Sequence, residues 1–119
     1  MNYMLCHLLQ KKNNMNVKQN IQNLINENDI CLFMKGTHES PQCGFSMTVS
    51  NVLKHLNANF KGVNVLEDQN LRQGIKDFSD WPTIPQLYIK GKFIGGCDIV
   101  KDMFEKGELK KILQEKKLI

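Results

Sequence analysis

A short and continuously apolar run, Ile30–Met34, most constrains how this chain can fold, because of the pattern that follows it. The run is too short for a helix and has the character of a buried β-strand. A loop then leads to Cys43, and a second strand-like run covers residues 60–65. Between them, apolar residues recur at helical spacing at Phe45, Val49, Val52, Leu53 and Leu56. This order predicts a β-α-β unit with parallel strands and a crossover helix.

The remaining elements complete a single α/β domain. Apolar residues at helical spacing predict a helix before the first strand, from about residue 16 to 28, and another across 69–79. Gln86–Ile89 and Phe93–Ile94 flank a glycine-containing turn and predict a hairpin, which is followed by a helix ending at Gly107 and a last helix. The order α-β-α-β-α-β-β-α-α predicts a four-stranded mixed sheet flanked by helices.

Composition excludes several classes of function. The 119 residues suffice for one domain with a proper core, and 41% hydrophobic with 24% charged residues is ordinary for a soluble protein. No apolar run approaches the ~20 residues that cross a bilayer, so no membrane segment is predicted. The net charge of +4 is modest, and the C-terminal lysines lack interleaved aromatic residues, which argues against a nucleic-acid partner.

None of the four cysteines has C-x-x-C or zinc-site spacing, so an intracellular reducing compartment is expected.

The first residues differ from the rest of the chain. Residues 1–26 contain lysine but no acidic residue, and Leu5, Leu8 and Leu9 can share one helical face. This pattern is compatible with an organellar targeting peptide, although arginine and serine are missing, and a disordered tail is an equal alternative. We therefore predict an N-terminal extension at 1–15, a domain at 16–119, and a mitochondrial rather than a cytoplasmic location.

The segment Cys43-Gly44-Phe45-Ser46 contains the candidate reactive group. Cys43 lies at the predicted start of a helix, where unpaired N–H groups and the helix dipole favour a thiolate. Lys35 can return across the intervening loop and add positive charge. Ser46 occupies the second position of what would otherwise be a C-x-x-C redox motif, so no local disulfide can form. The alternative is a buried structural cysteine.

Two further segments suggest a binding slot for an anionic peptide. In Gly95-Gly96-Cys97-Asp98, the glycines permit close approach of a ligand, and the N–H groups of Cys97 and Asp98 can bind an anion at a helix start. The Asp98 carboxylate can pair with an ammonium group or serve only as an N-cap. Arg72 and Lys76 lie one helical turn apart and present either a cationic site or a solvated face.

These segments together resemble monothiol glutaredoxins of the C-G-F-S type. The likeness runs from about Met34 to the C-terminus and rests on K-G-T, C-G-F-S, L-R-Q-G-I-K, W-P-T-I-P-Q and G-G-C-D, in that order. The resemblance implies a thioredoxin-like fold. It also implies that Pro85 is the family's cis-proline, which leaves the backbone of Ile84 free to hold an extended peptide. A turn proline at an edge strand is the alternative.

The resemblance further implies a ligand and its contacts. The ligand is glutathione, whose γ-glutamyl end would lie on Cys97 and Asp98. Its cysteine would pair with Ile84, and its glycine carboxylate would meet Lys35 and Arg72. Cys43 would be the reactive thiol.

Two functions of different classes follow from the resemblance. In the first, Cys43 is a ligand of a [2Fe-2S] cluster shared by a homodimer with two glutathiones, and the apo-protein is a monomer. Such a cluster carrier would serve apo iron-sulfur proteins and a BolA-type protein. In the alternative, Cys43 is the nucleophile of a weak glutathione-dependent oxidoreductase. Whether Cys97 forms a disulfide with Cys43 or contributes only its backbone stays open.

Overall fold

The computed structural model describes residues 16–119. The helices are α1 (16–27), α2 (Gly44–His55), α3 (Gln69–Ser79), α4 (Cys97–Glu105) and α5 (Glu108–Glu115), and the strands are β1 (Ile30–Met34), β2 (Lys61–Asn64), β3 (Gln86–Ile89) and β4 (Lys92–Gly95). This is the predicted order of elements. The expectations for residues 1–15 fall outside the described residues. Across 16–119, no helix combines the length and the apolar character that a bilayer crossing requires.

The sheet is mixed, as predicted, with strand order β2-β1-β3-β4. Strands β1 and β2 are parallel, with Cys31 opposite Lys61, and α2 connects them. Strand β3 runs antiparallel to β1, with Phe33 opposite Gln86, and β3 and β4 form the antiparallel hairpin. The β-α-β unit and the hairpin are therefore joined by the pairing of β1 with β3, the two central strands.

Strand β1 is buried on both sides because helices cover both faces of the sheet. All five of its residues are buried, and alternate side chains point to opposite faces. Ile30, Leu32 and Met34 pack in one cluster with apolar residues of α2, α4 and α5. Cys31 and Phe33 pack in a second cluster with residues of α1 and α3. The result is a three-layer α/β/α arrangement, the thioredoxin-like fold that the resemblance implied.

The end of the second strand differs from the prediction. The run 60–65 was expected to be entirely strand, but β2 ends at Asn64, and Val65–Glu67 form a turn of 3-10 helix. The side chain of Asn64 causes this change, because its Oδ1 accepts the N–H of Leu66 at 3.0 Å. The same oxygen accepts the N–H of Gly36 at 3.0 Å. One asparagine therefore ends β2 and anchors the loop that leads to Cys43.

The buried face of α2 also differs from the predicted stripe. Phe45 shares the helical spacing of Val49, Val52 and Leu53, but 62% of it is exposed. It lies in the first turn of α2, where it borders an open cleft instead of packing into the core. The residues of α2 that are buried are Ser46, Val49, Ser50, Val52 and Leu53.

Candidate functional site

Cys43 is the N-cap residue of α2, as its position in the sequence predicted. Its backbone is extended (φ −148°, ψ 148°), so the sulfur can turn back over the first turn of the helix. Sγ accepts the backbone N–H of Ser46 at 3.3 Å and lies 3.4 Å from the Oγ of the same residue. The cysteine therefore takes the capping role that Ser, Thr, Asp or Asn usually plays, with a sulfur as acceptor.

The three described cysteines differ in their tendency to ionise. Burial works to raise the pKa of Cys43, but hydrogen bonds from Ser46 and Phe45 and the positive charge of Lys35 outweigh it, so the pKa is lowered overall. Burial raises the pKa of Cys31 to about 12. Burial and the negative charge of Asp98 raise the pKa of Cys97. Cys43 is thus the cysteine that is poised to act as a thiolate among residues 16–119.

The loop between β1 and α2 is held by several contacts. Gly36 has a positive φ of 91°, and a Cβ there would lie 2.6 Å from the backbone nitrogen of Gln42, so a side chain would not fit. The N–H of Gln42 donates to the carbonyl of Lys35 at 2.9 Å. The ammonium group of Lys54, on α2, donates to the carbonyl of His38. These contacts keep Lys35 close to Cys43 although eight positions separate them.

The sheet topology brings three segments to one edge, side by side. Lys35 follows the end of β1, Pro85 precedes the start of β3, and Gly96 follows the end of β4. Because β3 lies between β1 and β4, Ile84 lies between the cation of Lys35 and the start of α4. A cleft of about 340 Å³ opens there. Its lining residues are Lys35, Phe45, Lys76, Trp81, Pro82, Thr83, Ile84, Pro85, Gly96, Cys97, Asp98 and Ile99.

A buried glutamine holds the turn that forms the floor of the cleft. Gln86 is fully buried, and its amide nitrogen donates to the carbonyls of Trp81 and Thr83, each at 3.1 Å. Both hydrogen bonds tie the turn to the start of β3, so the backbone around Ile84 has a defined position. The Ile84–Pro85 peptide bond is cis, as the resemblance implied.

The start of α4 forms the opposite wall. Gly96 is the N-cap, the helix begins at Cys97, and no side chain caps it. Asp98 therefore lies in the first turn of α4 and does not have the N-cap role that its spacing allowed. Its carboxylate is exposed and available to a ligand. Gly95 has φ 154°, and a Cβ there would lie 2.8 Å from the Cβ of Ile99. The lack of a side chain at Gly95 thus makes room for Ile99. The sequence analysis had instead attributed this glycine to the close approach of a ligand.

The structure brings most of the expected site residues together. Lys35, Ile84, Cys97 and Asp98 line the same cleft. Cys43 lies beside it, since its neighbour Phe45 is a lining residue and the charge of Lys35 acts on its sulfur. Arg72 is not a lining residue.

Some lining residues were missing from the sequence-based set of contacts. Lys76, one turn after Arg72 on α3, lines the cleft, as do Phe45, Trp81 and Ile99. Lys76 and Trp81 lie in motifs that the sequence singled out, so the signal existed for them. Phe45 also lies in such a motif, but its helical spacing favours a place in the core, and Ile99 lies in none of these motifs.

Comparison with known sequences identifies the family. The sequence model of the glutaredoxin family, described as "Glutaredoxin", matches residues 30–94. The "Probable monothiol glutaredoxin 2" of Rickettsia typhi is 57% identical over 83% of this chain and 90% of its own length. The chain belongs to the monothiol glutaredoxin family. Another relative of this glutaredoxin, "Monothiol glutaredoxin-5, mitochondrial" of Lachancea kluyveri, is 52% identical over 82% of this chain and 71% of its own length.

Solved structures show the same fold for this glutaredoxin. The solution structure of reduced poplar apo GrxS14 superposes with a TM-score of 0.73 at 50% sequence identity, and covers 82% of this chain and 90% of that one. The crystal structure of a buckwheat glutaredoxin-glutathione complex superposes with a TM-score of 0.80 at 25% identity, and covers 91% of this chain and 96% of that one.

Proposed function

We propose that this glutaredoxin binds glutathione in the cleft beside Cys43. The observation that carries the proposal is the distribution of charge around one activated thiol. Lys35 and Lys76 supply positive charge, while Asp98 and the uncapped start of α4 can receive the α-amino and carboxylate groups of a γ-glutamyl residue. Ile84 lies between them and offers backbone to the central cysteine. The buckwheat glutaredoxin supports the proposal, since it is a structural neighbour in complex with glutathione.

Removing one cation from the cleft is expected to weaken glutathione binding. Lys35→Ala and Lys76→Ala should each raise the dissociation constant about fivefold, because a partly exposed ion pair contributes up to about 1 kcal/mol. Arg72→Ala tests whether the longer side chain one turn earlier also reaches the glycine carboxylate. Calorimetric titration of each reduced apo-protein variant with glutathione measures the three dissociation constants.

Lys92→Ala is the matched control for that titration. It removes the same charge from an exposed lysine at the start of β4, the end of the strand away from Gly95 and the cleft. The dissociation constant should stay at the wild-type value. Equal effects of Lys92→Ala and Lys35→Ala would show that the net charge attracts glutathione and that no defined contact exists.

We further propose that the protein carries a [2Fe-2S] cluster, with Cys43 as its protein ligand. Among residues 16–119, no group of three or more His, Cys, Asp or Glu side chains converges to hold a metal. A cluster of this type takes four ligands, so one chain with a single activated thiolate cannot bind it alone. Glutathione in the cleft would supply a second sulfur, and a second subunit with its own glutathione would supply the other two. The test is the visible absorption spectrum after anaerobic reconstitution with iron, sulfide and glutathione.

The surface around Cys43 supports such an assembly. Residues 40–53 contain no charged side chain, in a chain whose net charge is +4. Phe45, Met47 and Ile99 are 62%, 48% and 38% exposed, so apolar area remains uncovered beside the thiol. Two such surfaces can bury apolar area on contact.

The proposed role as a carrier includes partners and a location. Recipients would be apo iron-sulfur proteins, and a BolA-type protein is a further candidate partner. Residues 16–119 would form the working domain, with 1–15 as an extension. The mitochondrial name of the Lachancea relative supports an organellar, mitochondrial location.

The alternative function is removal of glutathione from mixed disulfides. The Cys43 thiolate would attack the glutathione sulfur and release the protein thiolate, leaving Cys43 bonded to glutathione. A second glutathione thiolate would then attack that disulfide, release oxidised glutathione and regenerate Cys43. The lowered pKa of Cys43 favours this chemistry as well. Burial works to raise that pKa, but the hydrogen bonds from Ser46 and the charge of Lys35 outweigh it.

Ser46→Cys separates the two functions. The new thiol would stand where Oγ now lies 3.4 Å from Sγ of Cys43, so a local disulfide could close. We expect thiol-disulfide exchange to rise about tenfold or more, because an intramolecular thiol replaces the second glutathione. The assay follows reduction of a small glutathione mixed disulfide. A wild-type rate as high as that of Ser46→Cys would favour the enzyme over the carrier.

A further inference from the structure

Two exposed residues of opposite charge share one face at the start of α4. Cys97 and Asp98 line the cleft, and Lys101 follows them four and three positions later in the same helix. Residues three and four apart on a helix are neighbours, so Lys101 adjoins both of these cleft residues. Asp98 and Lys101 are exposed, and neither forms an ion pair with another residue of 16–119. This face therefore presents one anion and one cation that a ligand can use.

Helix geometry directs the side chain of Lys101 toward the start of α4. The Cα–Cβ bonds of a helix tilt toward its N-terminus, so a long side chain covers the turn that precedes its own Cα. For Lys101 that turn begins at Cys97. The pKa of Cys97 agrees with this direction, because burial and the charge of Asp98 raise it while the positive charge of Lys101 acts to lower it. The ammonium group thus lies near enough to the first turn for its charge to act there.

The γ-glutamyl end of glutathione carries the complementary pair of charges. Its α-carbon bears an ammonium group and a carboxylate, which are separated by that single carbon atom. In the proposed function Asp98 and the N–H groups at the start of α4 receive these two groups. The N–H groups of a helix start amount to only about half a positive charge, so they balance the carboxylate incompletely. Lys101 is the one lysine within Cys97–Glu105, and it can supply the missing charge.

We propose that Lys101 is a binding residue for the γ-glutamyl end of glutathione, where its ammonium group pairs with the α-carboxylate while Asp98 pairs with the α-ammonium group. The inference rests on the proposed function, because it takes glutathione as the ligand of the cleft. Lys101 makes the site selective for thiols that carry a free γ-glutamyl α-carboxylate. Each end of the ligand then has its own cations, with Lys35 and Lys76 at the glycine end and Lys101 at the other.

The experiment is a calorimetric titration of the reduced apo-protein with glutathione. Lys101→Met removes the charge but keeps a long side chain, and it should raise the dissociation constant about fivefold, as loss of a partly exposed ion pair does. Lys101→Arg keeps the charge and should keep the wild-type constant. Lys110→Met is the matched control, because it removes the same charge from an exposed position of α5, and it should leave the constant unchanged.

Two altered ligands locate the contact of Lys101. In the first, hydrogen replaces the γ-glutamyl α-carboxylate of glutathione. Lys101→Met and wild type should bind this analogue equally well, because the partner of the lysine is absent from it. In the second, the glycine carboxylate is amidated. The weakening by Lys101→Met should persist with this ligand, whereas the weakening by Lys76→Ala should disappear.

Three results would overturn the inference. Lys101→Met could bind glutathione as tightly as wild type does, Lys110→Met could weaken binding equally, or Lys101→Met could weaken binding of the analogue without the α-carboxylate to the same extent. In each of these cases wild type still binds glutathione, so the proposed function stands. Failure of the proposed function gives a different result, in which wild type itself binds no glutathione, and the inference would then fall with it.

Discussion

Cys43→Ser is expected to abolish assembly of the [2Fe-2S] cluster and to leave the fold intact. A hydroxyl is a poor ligand for iron where a soft thiolate is required, so absorption of the reconstituted protein should fall more than about tenfold. The helix should not suffer, because Cys43 is the N-cap of α2 and serine is among the preferred N-cap residues. Visible absorption and circular dichroism after anaerobic reconstitution measure the two effects separately.

Cys31→Ala is the control for that experiment. Cys31 is fully buried in β1, and burial raises its pKa to about 12, so its sulfur should contribute nothing to the cluster. The variant should lose some stability, because it shortens a core side chain, but should keep the spectrum. A stable [2Fe-2S] spectrum in Cys43→Ser would refute Cys43 as the ligand and direct attention to Cys97.

Withdrawal of glutathione is expected to remove the cluster and the dimer together. One chain with one glutathione offers two sulfurs against the four that the cluster takes. The loaded protein should therefore be a dimer with one cluster and two non-covalent glutathiones, and the apo-protein should be mainly a monomer. Gel filtration under anaerobic conditions should show complete conversion from dimer to monomer when free glutathione is removed, since half of the ligands leave.

Native mass spectrometry directly gives the numbers of subunits, clusters and glutathione molecules in the loaded protein. A monomer that carries a cluster would contradict the stoichiometry, as would a cluster that persists with no glutathione or other thiol present. Either result would require Cys97 or Cys31 to supply the missing sulfurs.

Lys35→Ala and Lys76→Ala should each raise the concentration of glutathione needed to keep the dimer, because each variant weakens the binding of a ligand that the cluster requires.

The positions of the elements were predictable because the local signals agreed. Ile30–Met34 could only be a strand buried on both faces, and the helical pattern after Cys43 could only be a crossover helix. The errors lie where a side chain competes with the local pattern. Asn64 ends β2 early with its own side chain. The alternative in which Asp98 is only an N-cap does not apply, because Gly96 takes that position. Phe45 has the helical spacing of core residues but is exposed and lines the cleft.

The sequence by itself determined the candidate site residues: a cysteine at a helix start, a serine three positions later, and the motifs around Ile84 and Asp98. These signals are local, since helix starts, turns and capping positions depend on near neighbours in the chain. Only the tertiary structure decided that the ends of three strands meet at one cleft. It also decided that Lys76 lines that cleft, and that the Lys35 amide donates a hydrogen bond to the Ser46 hydroxyl oxygen. Such contacts join residues distant in sequence, and strand order and register, which no local pattern encodes, bring them together.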